Sequence, residues 1–220
     1  GLLRSGMHVT VLERAAALST GGTGLWLWPN ALHALDALGV GDAAQAAGVV
    51  QTANRVRDVR GRTLAHVAVA QPDGRPYASL SIQRGALIAA LASAVPKGAV
   101  RCGAAVVGIE PGHPSRPAQV RLADGTTLSA DLVVGADGIG SSVRHALFGA
   151  SGRRETGTTA FRAVVPFAGA AALEGGVVWG RGARCGVLPV APDVACWFAG
   201  FAAPPALDPE HALTLVAERL

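Results

Sequence analysis

The chain has 220 residues, half of them apolar, and 19 basic against 15 acidic residues for a net charge of +4. That length buries a core in one large domain or two unequal ones without help from disulfides, and no apolar run approaches the ~18 residues that a membrane span requires. Cys102, Cys185 and Cys196 form no CxxC pair and the six histidines are scattered, which argues against a disulfide framework and against a metal site. Lys97 is the only lysine, so arginine carries the positive charge. It is spread along the chain without an aromatic-basic motif, so no nucleic-acid partner is expected. The start shows no charged segment followed by an apolar one, so a cytoplasmic protein without a secretory signal is expected.

Leu2 to Ser5 followed by Gly6 read as the tail of a helix with a glycine stop. His8 to Glu13 alternates and is rich in β-branched residues, the pattern of a strand ending on a carboxylate. Together they form the second half of a βαβ unit. In such units that carboxylate takes a ribose hydroxyl, and the G-x-G-x-x-G turn lies ~20 residues earlier. This spacing places the first strand and its glycines before Gly1. Neither Gly21-Gly22-Thr23-Gly24 nor Gly180-Arg181-Gly182 follows a strand and opens a helix, so neither is a dinucleotide fingerprint. Leu25 to Trp28 is a short strand or turn. Pro29-Asn30 then starts a helix with Leu32, Leu35 and Leu38 on one face and Gly39 as its stop. Asp42 is expected to cap a short helix through Ala47. Residues 55–83 alternate, with turn signals at Arg60-Gly61 and Asp73-Gly74, as in a hairpin or meander. Arg84 to Val95 reads as a helix closed by Pro96.

A strand is expected from Ala99 to Ile109, then a proline-rich loop from Pro111 to Pro117, then a hairpin turning at Asp124-Gly125. The hairpin feeds the run from Asp131 to Arg144, an apolar strand, a glycine-rich turn and a helix start. Past Gly149 the texture changes to strands at 159–167, 176–180, 185–190 and 195–201 and a helix from Pro209, a mostly antiparallel sheet. The predicted fold is α/β. A Rossmann-like nucleotide-binding domain over 1–150, with 55–83 as an inserted β-meander, precedes the start of a substrate-binding sheet domain over 151–220.

The chemistry concentrates at Asp137-Gly138. A carboxylate beside glycines at the end of a buried strand is where an open α/β sheet meets phosphate and ribose. Ser141 and Ser142 lack a G-x-S-x-G context, and His145, one turn into a helix, reads as structural rather than as a base.

Five segments, in order, resemble the FAD-dependent aromatic hydroxylases, the flavoprotein monooxygenases similar to para-hydroxybenzoate hydroxylase. They are Val9 to Arg14, Trp28 to Leu32, Ser81 to Arg84 with its helix, Asp131 to Arg144, and Trp179 to Gly182 with Val187 to Pro189. The resemblance implies an enzyme that uses FAD, NAD(P)H and O₂ to hydroxylate an aromatic or polycyclic small molecule through a flavin hydroperoxide, with the cofactor carrying the chemistry. It implies that Glu13 accepts the adenosine ribose hydroxyls, that Arg14 and Arg84 lie by the ribityl-pyrophosphate, and that Asp137 binds a ribityl or ribose hydroxyl. It implies further that Gly138 admits the backbone to the pyrophosphate and that Arg144 orients this turn or helps the nicotinamide cofactor bind. Arg162 matches a family arginine on a substrate-domain strand, with a paired structural arginine as the equal alternative. Trp26, Trp28, Phe161, Phe167, Trp179 and Trp197 are pocket or plain core. The family's later Gly-Asp motif falls beyond Leu220, and the chain by itself is expected to be inactive. The alternatives are a related flavin epoxidase or oxidase, or a non-catalytic fragment or degenerate paralogue.

Overall fold

The structure, a computed structural model, describes residues 1–51, 53–68, 79–149, 152, 154–202, 211, 214, 215 and 218. In chain order the elements are a 3₁₀ turn (Leu2–Ser5), β1 (Val11–Leu12), β2 (Gly24–Leu27), α1 (Pro29–Leu38), α2 (Gly41–Ala46), β3 (Gly48–Gln51), β4 (Ala53–Asp58), β5 (Thr63–Ala68), β6 (Ser79–Gln83) and α3 (Arg84–Ser93). Then come β7 (Val100–Arg101), β8 (Val106–Glu110), β9 (Ala118–Leu122), β10 (Thr127–Ala130), α4 (Ser142–Phe148), β11 (Thr158–Pro166), a second 3₁₀ turn (Ala170–Ala172), β12 (Gly176–Trp179), β13 (Ala183–Ala191) and β14 (Val194–Ala202). The fold is mixed α/β. It divides into two compact units, one made of residues 1–19 and 95–154, the other of 20–94 and 155–220.

In the first unit β1 and β7 pair in parallel, and β8, β9 and β10 form an antiparallel sheet with β9 central. Ala104, Val120 and Leu122 make its core, with Leu12, Val106, Leu128 and Val133 packed on them. The strand expected over 8–13 shortens to two residues, because β7 is equally short. The strand expected over 99–109 breaks where Gly103 turns the chain at φ 69°; there Gly103 N–H donates to Ala15 O and Ala104 N–H to Glu13 O. The strand expected from Asp131 forms no ladder among the described residues. Its alternation is real, since Val133 packs on the core while Leu132 and Val134 are 62% and 64% exposed. A strand nevertheless needs a neighbour's N–H and C=O groups as well as a pattern.

In the second unit β6 lies between β2 and β3, antiparallel to both. Its residues Ser79, Leu80, Ser81 and Ile82 are all fully buried, because helices cover one side and a second sheet the other. Leu80 and Ile82 join Leu32, Leu35, Val40 and Ala44 in one core, against which Ala86 and Leu87 of α3 pack. Helix α1 begins on its proline and ends at Gly39, in the left-handed conformation at φ 76°, as its sequence predicts. Helix α2 differs. It starts at Gly41 after Val40, and Asp42 lies in its first turn without capping it.

The second sheet runs β11-β14-β13-β12-β4-β5. Residues 55–83 do not form a continuous meander: β4 and β5 make a hairpin turning at Arg60-Gly61, β4 pairs in parallel with β12, and β6 belongs to the other sheet. Trp26 of β2 packs on Leu188, Val190 and Cys196 of the larger sheet. The expected turn at Asp73-Gly74 and the expected helix start at Pro209 lie outside the described residues.

Candidate functional site

In the first unit, the two carboxylate-bearing segments share a core. Leu12, next to Glu13, and Val133, four residues before Asp137, pack on the same buried cluster. Glu13 is half-buried. Its backbone holds the register, with N–H donating to Arg101 O at 2.9 Å and C=O accepting from Ala104 N–H at 2.9 Å. Its Oε1 accepts from Ala15 N–H at 2.8 Å, which fixes the carboxylate just past the strand. Oε2 has no partner among the described residues. Arg14 is exposed and has no side-chain hydrogen-bond or ion-pair partner among them.

The turn from Gly135 to Ser141 is held from both ends. Gly135 is needed because a Cβ there would press on Val143 at 2.7 Å. Asp137 Oδ2 accepts from the backbone N–H of Ser142 at 2.6 Å and of Val143 at 3.2 Å, so its carboxylate satisfies two of the orphan donors that open α4. Ser141 caps the helix, its Oγ accepting from Arg144 N–H at 3.0 Å. The Arg144 guanidinium folds back and donates to the carbonyls of Gly138, at 3.4 Å, and Ile139. Arg144 thus ties the turn to its own helix. Gly138 has φ 80°, and a Cβ on it would meet nothing within 4 Å, so the surface above the Asp137-Gly138 peptide is open.

The Ser141 side-chain hydrogen bond, opposed by slight desolvation and aided by the Val143 and Ser142 amides, holds the exposed Asp137 carboxyl below the usual carboxylate range. A carboxyl so held stays ionised near neutral pH. It can accept hydrogen bonds from hydroxyl groups and is a poor proton donor.

Arg84 belongs to the second unit. It is the exposed first residue of α3, its N–H donates to Thr23 O at 3.0 Å, and its stem lies on Gly22. Gly22 and Gly24 are explained by close packing. A Cβ on Gly22 would sit 3.2 Å from Arg84, and one on Gly24 would press on Cys196 and Val190 at 2.7 and 2.8 Å. Arg162 is exposed on β11 and has no partner among the described residues. Arg184 of β13 pairs across with the buried Gly200 of β14, and its side chain lies 3.7–3.8 Å from where a Cβ on that glycine would stand.

The fit to a flavin nucleotide is favourable: a fixed carboxylate after β1, an ionised carboxylate beside an open left-handed glycine, and an arginine-braced helix start are the donor and acceptor set that ribose, ribityl and pyrophosphate groups match. Residues 1–174 match the family model described as FAD binding domain. The chain belongs to that family. It is 34% identical over 205 residues to aurachin C monooxygenase/isomerase of Stigmatella aurantiaca, covering 92% of this chain and 53% of that one. It is 38% identical over 174 residues to 3-hydroxybenzoate 6-hydroxylase 1 of Aquipseudomonas alcaligenes, covering 76% and 43%. The Klebsiella pneumoniae HpxO structure, solved with FAD and uric acid, shares the fold with a TM-score of 0.84 at 23% identity, over 99% of this chain and 56% of that chain. The chain spans about half the length of the curated relatives it matches. Among the described residues no helix is long and apolar enough to cross a membrane.

Proposed function

We propose that this chain is the FAD-binding and substrate-sheet portion of a monooxygenase that uses FAD, NAD(P)H and O₂ to hydroxylate an aromatic small molecule. The observation that carries the reading is the Asp137-Gly138 turn: an ionised carboxylate locked to a helix start beside a glycine with open space above it. Bound FAD would supply the electron transfer and oxygen chemistry. Glu13 would accept adenosine ribose hydroxyls, and Asp137 a hydroxyl of the ribityl or ribose. Gly138 would let the pyrophosphate approach the backbone, and Arg144 would keep the turn in register. Arg14 and Arg84, both exposed, would supply cationic donors to the pyrophosphate. The family membership and the relatives named as monooxygenase and hydroxylase support this reading over a non-catalytic scaffold.

The test is FAD titration by flavin fluorescence, with Glu13→Ala beside the parent sequence, in a polypeptide of the relatives' full length that carries this chain. Losing an acceptor for ribose hydroxyls should weaken FAD by roughly 1–3 kcal/mol. An unchanged affinity would return Glu13 to a turn-forming role. Failure of the parent protein to bind FAD at all would overturn the proposed function.

A further inference from the structure

One face of the larger sheet carries a groove that no assigned role uses. Cross-strand partners in a sheet share a face, and every second residue returns to it. Trp197, Val187, Gly176 and Arg55 form one row across β14, β13, β12 and β4. Cys185, Val178 and Arg57 form the next row on that face, across β13, β12 and β4. Between them, Phe198, Gly186 and Val177 turn away to the opposite face, the one that bears Arg162 and Arg184. The space left between the two rows is a cavity of about 290 Å³ with Glu174 at its end. Its floor is main chain whose polar groups are used in the ladder, so its walls decide its chemistry, and except at Arg57 they are apolar.

Gly176 opens the end near β4. Without a side chain it leaves a gap in the first row between Val187 and Arg55, and Arg57 Nη1 lies 3.6 Å from where its Cβ would stand. The Arg57 guanidinium therefore overhangs the gap.

The charge there is unbalanced. Arg55 takes Glu174 as a fork, its Nε donating to Oε1 at 3.0 Å and its Nη2 lying 3.0 Å from Oε2. Both carboxylate oxygens are thus engaged at close range, while Arg57 stands 3.8 Å and His66 3.7 Å from the same group. Two guanidinium charges face one carboxylate, and Arg57 is the one without a close partner among the described residues. Its side chain is 33% exposed, so its field is less screened than that of an open surface arginine.

The dimensions select the ligand. Rows two residues apart lie ~7 Å from one another, which, less the side chains that bound the groove, admits the width of one alkyl chain. From β14 to β4 is three strand spacings, ~14 Å. At ~1.2 Å per bond of extended chain, an eight-carbon carboxylate of about 10 Å reaches from beside Trp197 to the Arg57 guanidinium.

We propose that this groove binds an aliphatic monocarboxylate of medium chain length, with its carboxylate on Arg57 and its alkyl chain between Trp197 and Val187 on one side and Cys185 and Val178 on the other. The site lies on the face turned away from Arg162 and Arg184 and stands whether or not the protein holds FAD. The test titrates octanoate and its neutral isostere octanamide into the full-length protein at low ionic strength, by calorimetry and tryptophan fluorescence, with thermal unfolding to show that each variant is folded. Octanoate should bind about tenfold more tightly than octanamide, the scale of a charge-assisted hydrogen bond. Arg57→Gln should remove that preference and leave octanamide unchanged. Val187→Phe, which puts a ring over the Gly176 gap, should abolish binding of both. Arg162→Gln, on the opposite face, should change neither. Equal binding of the two probes, a preference that survives Arg57→Gln, octanoate binding retained in Val187→Phe, or a loss in Arg162→Gln equal to that in Arg57→Gln would each overturn the proposal.

Discussion

Asp137→Asn separates a carboxylate that builds the turn and recognises hydroxyls from one that moves protons. The amide keeps size and shape but loses the charge on an oxygen that accepts from Ser142 N–H at 2.6 Å and Val143 N–H at 3.2 Å. Charge-assisted hydrogen bonds are about twice as strong as neutral ones, and a neutral one is worth ~1 kcal/mol. Asp137 is exposed, so solvent screening reduces the two-bond loss to about 1 kcal/mol, the scale of a helix cap. Its folded-state pKa is lowered, so the stabilisation is fully present above the unfolded value of about 3.9 and is lost as pH falls through the native value. In urea titrations the variant should therefore be less stable at pH 7, with the gap closing below about pH 4. In the FAD-loaded full-length protein the same substitution should weaken FAD by about tenfold, and NAD(P)H oxidation should fall with occupancy. A stability gap that widens on acidification would refute the turn argument. Full flavin occupancy with turnover per flavin down by ~10²-fold or more, the loss expected for a general acid or base, would refute the recognition role.

Two further substitutions test the second unit's packing. Gly85→Ala places a Cβ against the backbone carbonyl of Thr20, which cannot rotate away, so urea denaturation should show a loss of about 1–3 kcal/mol; a change within ~0.5 kcal/mol would show that the 19–22 loop yields freely. Ser79→Ala removes the fully buried hydroxyl that accepts from Trp26 Nε1 at 2.6 Å and donates to Gln51 O at 3.2 Å. The expected cost is about 1–3 kcal/mol with a shifted tryptophan emission, and unchanged emission and stability would mean that Trp26 finds another acceptor.

Local chemistry determined much of this protein from the sequence alone. Proline at its start and glycine at its end bound α1, the spacing of Leu32 and Leu35 buries them, Arg84 opens a helix, and Asp137-Gly138 forms a turn into another. Each of these depends on residues within a few positions of one another, so periodicity, capping chemistry and glycine's access to positive φ suffice to read them. Pairing partners were decided only by the tertiary structure. The strand pattern at Asp131 lacks a ladder among the described residues, β4 keeps its expected hairpin with β5 but also lies parallel with β12, and β6 buries two serines in a separate sheet. Arg162 and Arg184 stand 22 positions apart in sequence and face the same way only because β14 hydrogen-bonds to both of their strands. A strand's pattern states which side chains alternate. Which strand sits beside it depends on contacts between distant segments, and those are settled when the whole unit packs.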